Sequence, residues 1–175
     1  MNKAVFLDRD GVINRATVMN GKPYSPVGLN NLEILNGVKE SITAMQNANW
    51  IVIVVTNQPD VARNKISKND VEKINNYLKS TLLFNEIYTC YHDNNDFCDC
   101  RKPKPGMLLT ASKKNNISLK NSYMIGDRWT DIEAGNRAGC TTIFVDYNYK
   151  EKKPFNYKYK VKSLKEATDI ILKNE

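Results

Sequence analysis

Ile51-Val52-Ile53-Val54-Val55 runs straight into Thr56-Asn57-Gln58, and this junction decides the architecture. Five β-branched residues in succession, with no polar alternation, fit a strand covered on both faces, as in a parallel sheet between layers of helix. A strand with one wet face would alternate apolar and polar residues. Other runs repeat the pattern of a short apolar stretch closed by a polar residue. Ala4–Leu7 ends at Asp8, Glu86–Thr89 is followed by Cys90, Ser122–Ile125 leads to Gly126-Asp127, and Thr141–Val145 is a further strand.

Helices are expected between the strands. Leu35–Asn49 carries Val38, Ile42, Met45 and Ala48 at helical spacing. Ser67, with Asp70 three residues on, predicts a capped helix reaching about Leu83. Pro105 suits the first turn of a helix through Lys114. Further helices are expected over Thr130–Ala138 and from about Ser163 to Leu172. Such alternation predicts an α/β fold with a doubly wound, mostly parallel, Rossmann-like sheet, and its strand carboxyl ends form the ligand edge. Asp8, Thr56 and Asp127 would converge there from distant parts of the chain. Asn14–Asn31 has no periodicity and contains Gly21, Pro23, Pro26 and Gly28, so it reads as a long loop or small hairpin leaning over that edge.

The 175 residues, 41% hydrophobic, fit one domain spanning 1–175, with no low-complexity stretch. The amino-terminal run meets charge at Asp8, too early for a signal peptide or a membrane span, and a cytoplasmic location is expected. A net charge of +7 raises the possibility of a zinc-stabilised, basic nucleic-acid-binding module, chiefly through Lys150–Lys162 with its interleaved tyrosines. That reading ranks low, because Asp8, Asp10, Asp127 and Asp131 would line the ligand edge and repel a polyanion. Tyr157, Tyr159 and Val161 also fit a strand with one buried face.

Cys90-Tyr91-His92 and Cys98-Asp99-Cys100 are two ligand pairs of the kind Zn²⁺ takes in closed four-coordinate sites, defining a zinc loop over 90–100. Their spacing favours thiolate ligands over disulfides. Arg101-Lys102-Pro103-Lys104 follows at once. Two early carboxylates, a threonine, lysines and a distal aspartate are what Mg²⁺-assisted phosphate transfer to an aspartate requires. Cys140, beside an apolar strand, reads as a buried small hydrophobe.

Asp8-Arg9-Asp10-Gly11-Val12-Ile13-Asn14, Thr56-Asn57-Gln58, Cys98 through Gly106, and Gly126-Asp127-Arg128 through Asp131 occur in the order of the four motifs of the haloacid dehalogenase-like phosphohydrolases. Over Ala4 to about Val145 the chain resembles that family, and within it the heptose-bisphosphate 7-phosphatases and histidinol-phosphatase domains. The resemblance implies a phosphatase without a large cap domain, acting on a small sugar phosphate. Its expected reaction removes the 7-phosphate of D-glycero-D-manno-heptose 1,7-bisphosphate through an aspartyl-phosphate. Histidinol phosphate or another small phosphomonoester is the alternative substrate. The chain departs from the family around His92, flanked by Tyr91 and Asp93, at Pro59–Asn64, and in the loop after Asn14. These departures lie where a leaving group would be recognised.

On this resemblance Asp8 is the nucleophile and Asp10 the general acid and base. Mg²⁺ is held by Asp8, the Asp10 carbonyl and Asp127. Thr56 and Asn57 hold phosphate, and Lys102 stabilises the transferring group, with Lys104 in reserve. Arg101 grips a second phosphate or the sugar. Asp131 orients a metal-bound water or Lys102. Arg128 either contacts substrate or is an exposed arginine at a helix start. Cys90, His92, Cys98 and Cys100 complete a structural Zn²⁺ site that fixes Arg101 and Lys102. No nucleic acid or membrane partner is expected, and a monomer is plausible.

Overall fold

The computed structural model describes residues 1–174. In chain order, strand β1 (Ala4–Leu7) is followed by a small hairpin, β2 (Thr17–Met19) and β3 (Lys22–Tyr24), then by helix α1 (Val38–Asn47) and β4 (Ile51–Asn57). Helix α2 (Lys68–Leu82), β5 (Glu86–Cys90), α3 (Gly106–Asn115), β6 (Tyr123–Gly126) and α4 (Trp129–Ala138) come next. The chain closes with β7 (Thr141–Val145), β8 (Tyr159–Val161) and α5 (Leu164–Lys173).

Six strands form one sheet in the order β5-β4-β1-β6-β7-β8, and every neighbouring pair is parallel. Successive side chains of the central strands feed opposite cores. Val5, Leu7, Val52 and Val54 pack with the buried faces of α1, α2 and α5, while Ala4, Phe6, Ile53 and Val55 pack with Met107, Leu108, Ala111 and Ala134. The unbroken apolar runs therefore serve two layers at once. Helix α2 starts as its sequence dictates, with Ser67 Oγ accepting from the Asp70 amide at 3.1 Å.

The order places β1 where the winding reverses, with β4 and β5 on one side and β6, β7 and β8 on the other. In an open α/β sheet the crevice at such a switch point is the ligand site. Asp8, Thr56 and Asp127 stand at the adjoining ends of β1, β4 and β6.

One local reading differs from the sequence expectation, and the small hairpin expected after Asn14 is present. Helix α1 begins at Val38, because Leu35 N donates to Ile13 O at 2.9 Å and Gly37 turns through φ 76° just before the helix. Its early apolar residues thus belong to the loop packed beside the segment that follows β1. The Asn14–Asn31 segment contains the antiparallel β2–β3 hairpin, paired from Thr17–Tyr24 to Met19–Lys22. Val161 is buried and Lys160 exposed, so the basic carboxyl-terminal segment supplies an edge strand, β8.

Candidate active site

Asp8 follows β1 directly, and its amide donates to Ile125 O at 2.9 Å, tying the start of the loop to β6. Lys102 Nζ reaches Asp8 Oδ1 at 2.8 Å and Asp131 Oδ1 at 2.7 Å, and also donates to Val55 O at 2.7 Å. All three charged residues are buried. Such a cluster persists only when each charge is paired and hydrogen-bonded. Burial alone would lower the Lys102 pKa, but Asp131 and Asp8 hold the ammonium well above its ordinary value. Burial pushes the Asp8 carboxyl up to about 6, reinforced by Asp131 and opposed by Lys102.

Asn57 sets the direction of Lys102. Its side-chain amide donates to Lys102 O at 3.0 Å and accepts from Lys102 N at 3.1 Å, a two-point clamp on the backbone. The Asn57 side chain, expected at the phosphate, is occupied by this clamp. The structure brings Lys102, not Lys104, to the carboxylates. Lys104 Nζ instead donates to Cys98 O at 2.6 Å and lies 3.5 Å from Asp99. Arg101 is likewise held against the cysteine loop, by Asn94 Oδ1 at 3.0 Å and His92 O at 3.3 Å.

Asp10 faces the hairpin side of the cleft. Its carboxylate accepts from Arg9 Nε at 3.2 Å, Asn14 Nδ2 at 2.9 Å, Ser25 Oγ at 2.7 Å and Gln58 Nε2 at 2.9 Å. Burial works to raise its pKa, yet the Arg9 charge and the bonds from Asn14 and Ser25 hold it below the ordinary value. Gln58 also donates to Thr56 Oγ1 at 2.9 Å, which leaves the threonine proton to point elsewhere. Of these partners, Ser25 and Asn75, which accepts from Arg9 at 2.8 Å, had no signal in the sequence. Gln58 was visible as part of a motif but had no role.

Asp127 is 1% exposed, and among the described residues neither carboxylate oxygen has a partner in hydrogen-bond geometry. The nearby Tyr149 hydroxyl lowers its pKa somewhat, but burial, Asp8 and Asp131 raise it well above the ordinary value. Gly11, at φ +91°, makes room for it, since a Cβ there would fall 1.9 Å from Asp127 Oδ2. Asp8, Asp127 and Asp131 can each bring a carboxylate oxygen within 4.8 Å of the others. Asp131 already spends its oxygens on Lys102 and on the Arg128 amide, at 3.0 Å. An unpartnered carboxylate beside a second one, with only hard oxygen donors, fits Mg²⁺. Asp8, Asp10 and Asp131 line a cleft of about 50 Å³ together with Ser25, Thr56 and Arg128. A larger cavity of about 390 Å³ adjoins the hairpin, lined by Gly11, Arg15, Val18, Tyr147 and Tyr149.

The cysteine loop forms a second donor cluster. Cys90 ends β5, and the ligand atoms of Cys90, His92, Cys98 and Cys100 all lie within 4.8 Å of one another. The Cys90 sulfur is 3.7 Å from Cys98 and 3.0 Å from Cys100, and His92 Nδ1 is 3.3 Å from Cys100. The cysteines are unbridged. Four such atoms fit the corners of a contracted tetrahedron, since a Zn–S distance of about 2.3 Å spaces its sulfurs by about 3.8 Å. Gly106 lets α3 start against this loop, because a Cβ there would meet Asp99 O at 2.2 Å.

This parallel sheet, with an aspartate after its switch-point strand and a buried lysine beside it, has the form of a haloacid dehalogenase-like hydrolase. Residues 99–167 match the HAD-hydrolase-like family model. The D-glycero-β-D-manno-heptose-1,7-bisphosphate 7-phosphatase of Helicobacter pylori strain J99 is 34% identical over 178 residues, covering 97% of each chain. The D-glycero-α-D-manno-heptose-1,7-bisphosphate 7-phosphatase of Campylobacter jejuni is 35% identical over 174 residues, covering 97% of this chain and 95% of its own. The fold also matches the crystal structure of D,D-heptose 1,7-bisphosphate phosphatase from B. bronchiseptica complexed with magnesium and phosphate. That match has TM-score 0.86 and 24% identity over 99% of both chains. The chain therefore belongs to the heptose-bisphosphate phosphatase family of haloacid dehalogenase-like hydrolases, and it is a phosphatase of small phosphate esters.

Proposed function

We propose that this enzyme removes the 7-phosphate of D-glycero-D-manno-heptose 1,7-bisphosphate, with Asp8 as nucleophile and Mg²⁺ held by Asp8, the Asp10 carbonyl and Asp127. The observation that carries the reading is the buried, unpartnered Asp127 carboxylate beside Asp8, itself tied to Lys102. Bound Mg²⁺ would offset the repulsion between carboxylate and phosphate and draw charge from the phosphoryl oxygens. Asp8 forms an O–P bond as the bond from phosphorus to the sugar O7 breaks, and Asp10 gives that oxygen a proton. Water then attacks phosphorus, Asp10 takes its proton, and the bond to Asp8 breaks to release phosphate. Free Asp10 is ionised, so its proton has to be taken up with the substrate, whose negative charge beside it favours the neutral acid. Lys102 steadies Asp8 and faces the transferring phosphoryl group, and Thr56 donates its free proton there.

The three thiolates and one imidazole at Cys90, Cys98, Cys100 and His92 support a closed structural Zn²⁺ site with no position left for water. Its role is to fix the loop from which Arg101 and Lys102 emerge. Elemental analysis should find close to one zinc per chain.

The deciding assay measures phosphate release, with and without Mg²⁺, from both anomers of the heptose bisphosphate and from histidinol phosphate. Relatives named for opposite anomers match this chain almost equally, at 34% and 35%, so both anomers belong in it. Mg²⁺-dependent release with the highest kcat/KM on a heptose bisphosphate is expected. A clear preference for histidinol phosphate would overturn the substrate assignment and leave the chemistry intact.

A further inference from the structure

The segment between β7 and β8 lies beyond the motifs that carry the family resemblance, yet it touches two elements that line the cleft, the hairpin and the start of α4. On one side it is pinned to the hairpin, where Lys150 N donates to Gly21 O at 2.8 Å. Gly21 leaves no room for a side chain, because a Cβ there would sit 2.7 Å from Lys150 Cγ. In the middle, Tyr149 is 8% exposed and stacks on Tyr147 with ring centroids 5.6 Å apart. On the other side, Lys152 Nζ lies 4.2 Å from the Trp129 ring centroid. The segment is thus a strap fastened to both walls.

Between those fastenings stands Glu151. It accepts from Arg128 Nε at 3.0 Å through Oε1 and at 3.1 Å through Oε2, and Arg128 Nη2 closes the fork on Oε2. The Glu151 side chain is 12% exposed and that of Arg128 40%. Arg128 lines the same cleft as Asp8, Asp10 and Lys102, and its backbone amide is fixed to Asp131. Glu151 takes the Nε–Nη2 edge, so Nη1, which has no recorded partner among the described residues, is left to a group entering the cleft. An arginine whose side chain is locked before substrate arrives loses less freedom on binding an anion.

We infer that Glu151 is a positioning residue that holds the Arg128 guanidinium at the cleft rim to receive the second phosphate of a sugar bisphosphate, and so sets preference for bisphosphates over monoesters. The inference rests on the substrate reading above. It assigns Arg128 a binding role and explains why the strap is fastened at both ends. It also separates Arg101 from Arg128: Arg101 is turned to the cysteine loop, while Arg128 lines the cleft.

The test compares kcat and KM of wild type, Glu151→Ala, Glu151→Asp, Arg128→Ala and the Glu151→Ala/Arg128→Ala double variant, each on heptose 1,7-bisphosphate and on p-nitrophenyl phosphate. Glu151→Ala should raise KM for the bisphosphate by about tenfold, the scale of a freed charge-assisted fork, and leave its kcat within about twofold. The KM for the monoester should change far less, so the preference falls. Glu151→Asp should restore part of it, and Glu151→Ala should add nothing once Arg128 is gone. A bisphosphate preference that survives Glu151→Ala overturns the inference alone, as does a fall in KM, which would make Glu151 a competitor for Arg128. Equal KM changes on both substrates would reduce Glu151 to a structural role. A wild type without any bisphosphate preference would remove the substrate reading and this inference together.

Discussion

The molecule carries two clusters shaped for metal, and they are built in opposite ways. Asp8, Asp127 and Asp131 come from two strand ends and a helix start, Asp8 more than a hundred residues from the other two, and all three are buried. Cys90, His92, Cys98 and Cys100 lie within one short loop, where only Cys90 is fully buried. The first cluster exists because the sheet reverses its winding beside β1, so the fold itself assembles it. The second is prepared by local spacing, and a bound ion would complete the fold of its loop. Hard oxygens in the buried cluster and soft sulfurs on the loop suit different ions, and on the proposal above one cluster meets substrate while the other holds Lys102 and Arg101 in place.

That division predicts unequal damage. Lys102→Met should cost most after loss of the nucleophile itself. It leaves Asp8 and Asp131 facing each other without their shared cation, and breaking a buried ion pair from one side costs about 3–5 kcal/mol. Urea titration should register the lost stability, and phosphate release should fall by about two orders of magnitude or more, the scale of electrostatic stabilisation in a buried site. Stability within experimental error of wild type would mean that the carboxylates do not depend on this lysine.

Cys100→Ser should act less severely and by another route. Bound zinc should drop from about one per chain towards zero, and activity should fall by about tenfold through a loosened Arg101–Lys102 segment, with no rescue by added Mg²⁺, which does not favour sulfur ligands. Metal analysis beside the activity assay checks both. Rescue by Mg²⁺ would collapse the distinction between the two clusters.

The smallest effect concerns pH. Burial pushes the Asp8 carboxyl up to about 6 against 3.8 as its ordinary value, and burial also holds Asp127 well above its ordinary value. A raised folded pKa means stability that is present in full below about pH 3.8 and lost as pH climbs through about 6. The metal-free protein should therefore lose this contribution between pH 4 and 7. Mg²⁺ should recover it where the carboxylates are ionised. The rise in Tm on adding Mg²⁺ should be larger at pH 7.5 than at pH 5, by about 2–4 °C for each kcal/mol involved. Equal shifts at the two pH values would contradict carboxylate ligation.

The two clusters also differ in how legible they were. The strand ends at Asp8, Thr56 and Asp127 could be read because an apolar run closed by a polar residue is a local signal, and a parallel sheet gathers such ends. The cysteine cluster was legible from spacing alone. Contacts made across the fold could not be read. Arg9 would be placed at the surface by composition, yet it is the largest fully buried side chain among the described residues, each of its guanidinium nitrogens bonded to Asp10 or Asn75. Ser25 reaches Asp10 only because a hairpin folds over the cleft, and Glu151 reaches Arg128 only because the strap crosses its rim. The choice between Lys102 and Lys104 was open for the same reason. It is decided by the Asn57 clamp, a pairing 45 residues apart.

The central claim, that Asp8 is the group phosphorylated during turnover, is tested most directly by Asp8→Asn assayed for phosphate release at saturating Mg²⁺, with zinc content and Tm recorded on the same sample. The prediction is a loss of at least about a thousandfold, the scale of removing a nucleophile, in a protein that keeps its zinc and folds like wild type. Turnover within about tenfold of wild type would contradict the assignment.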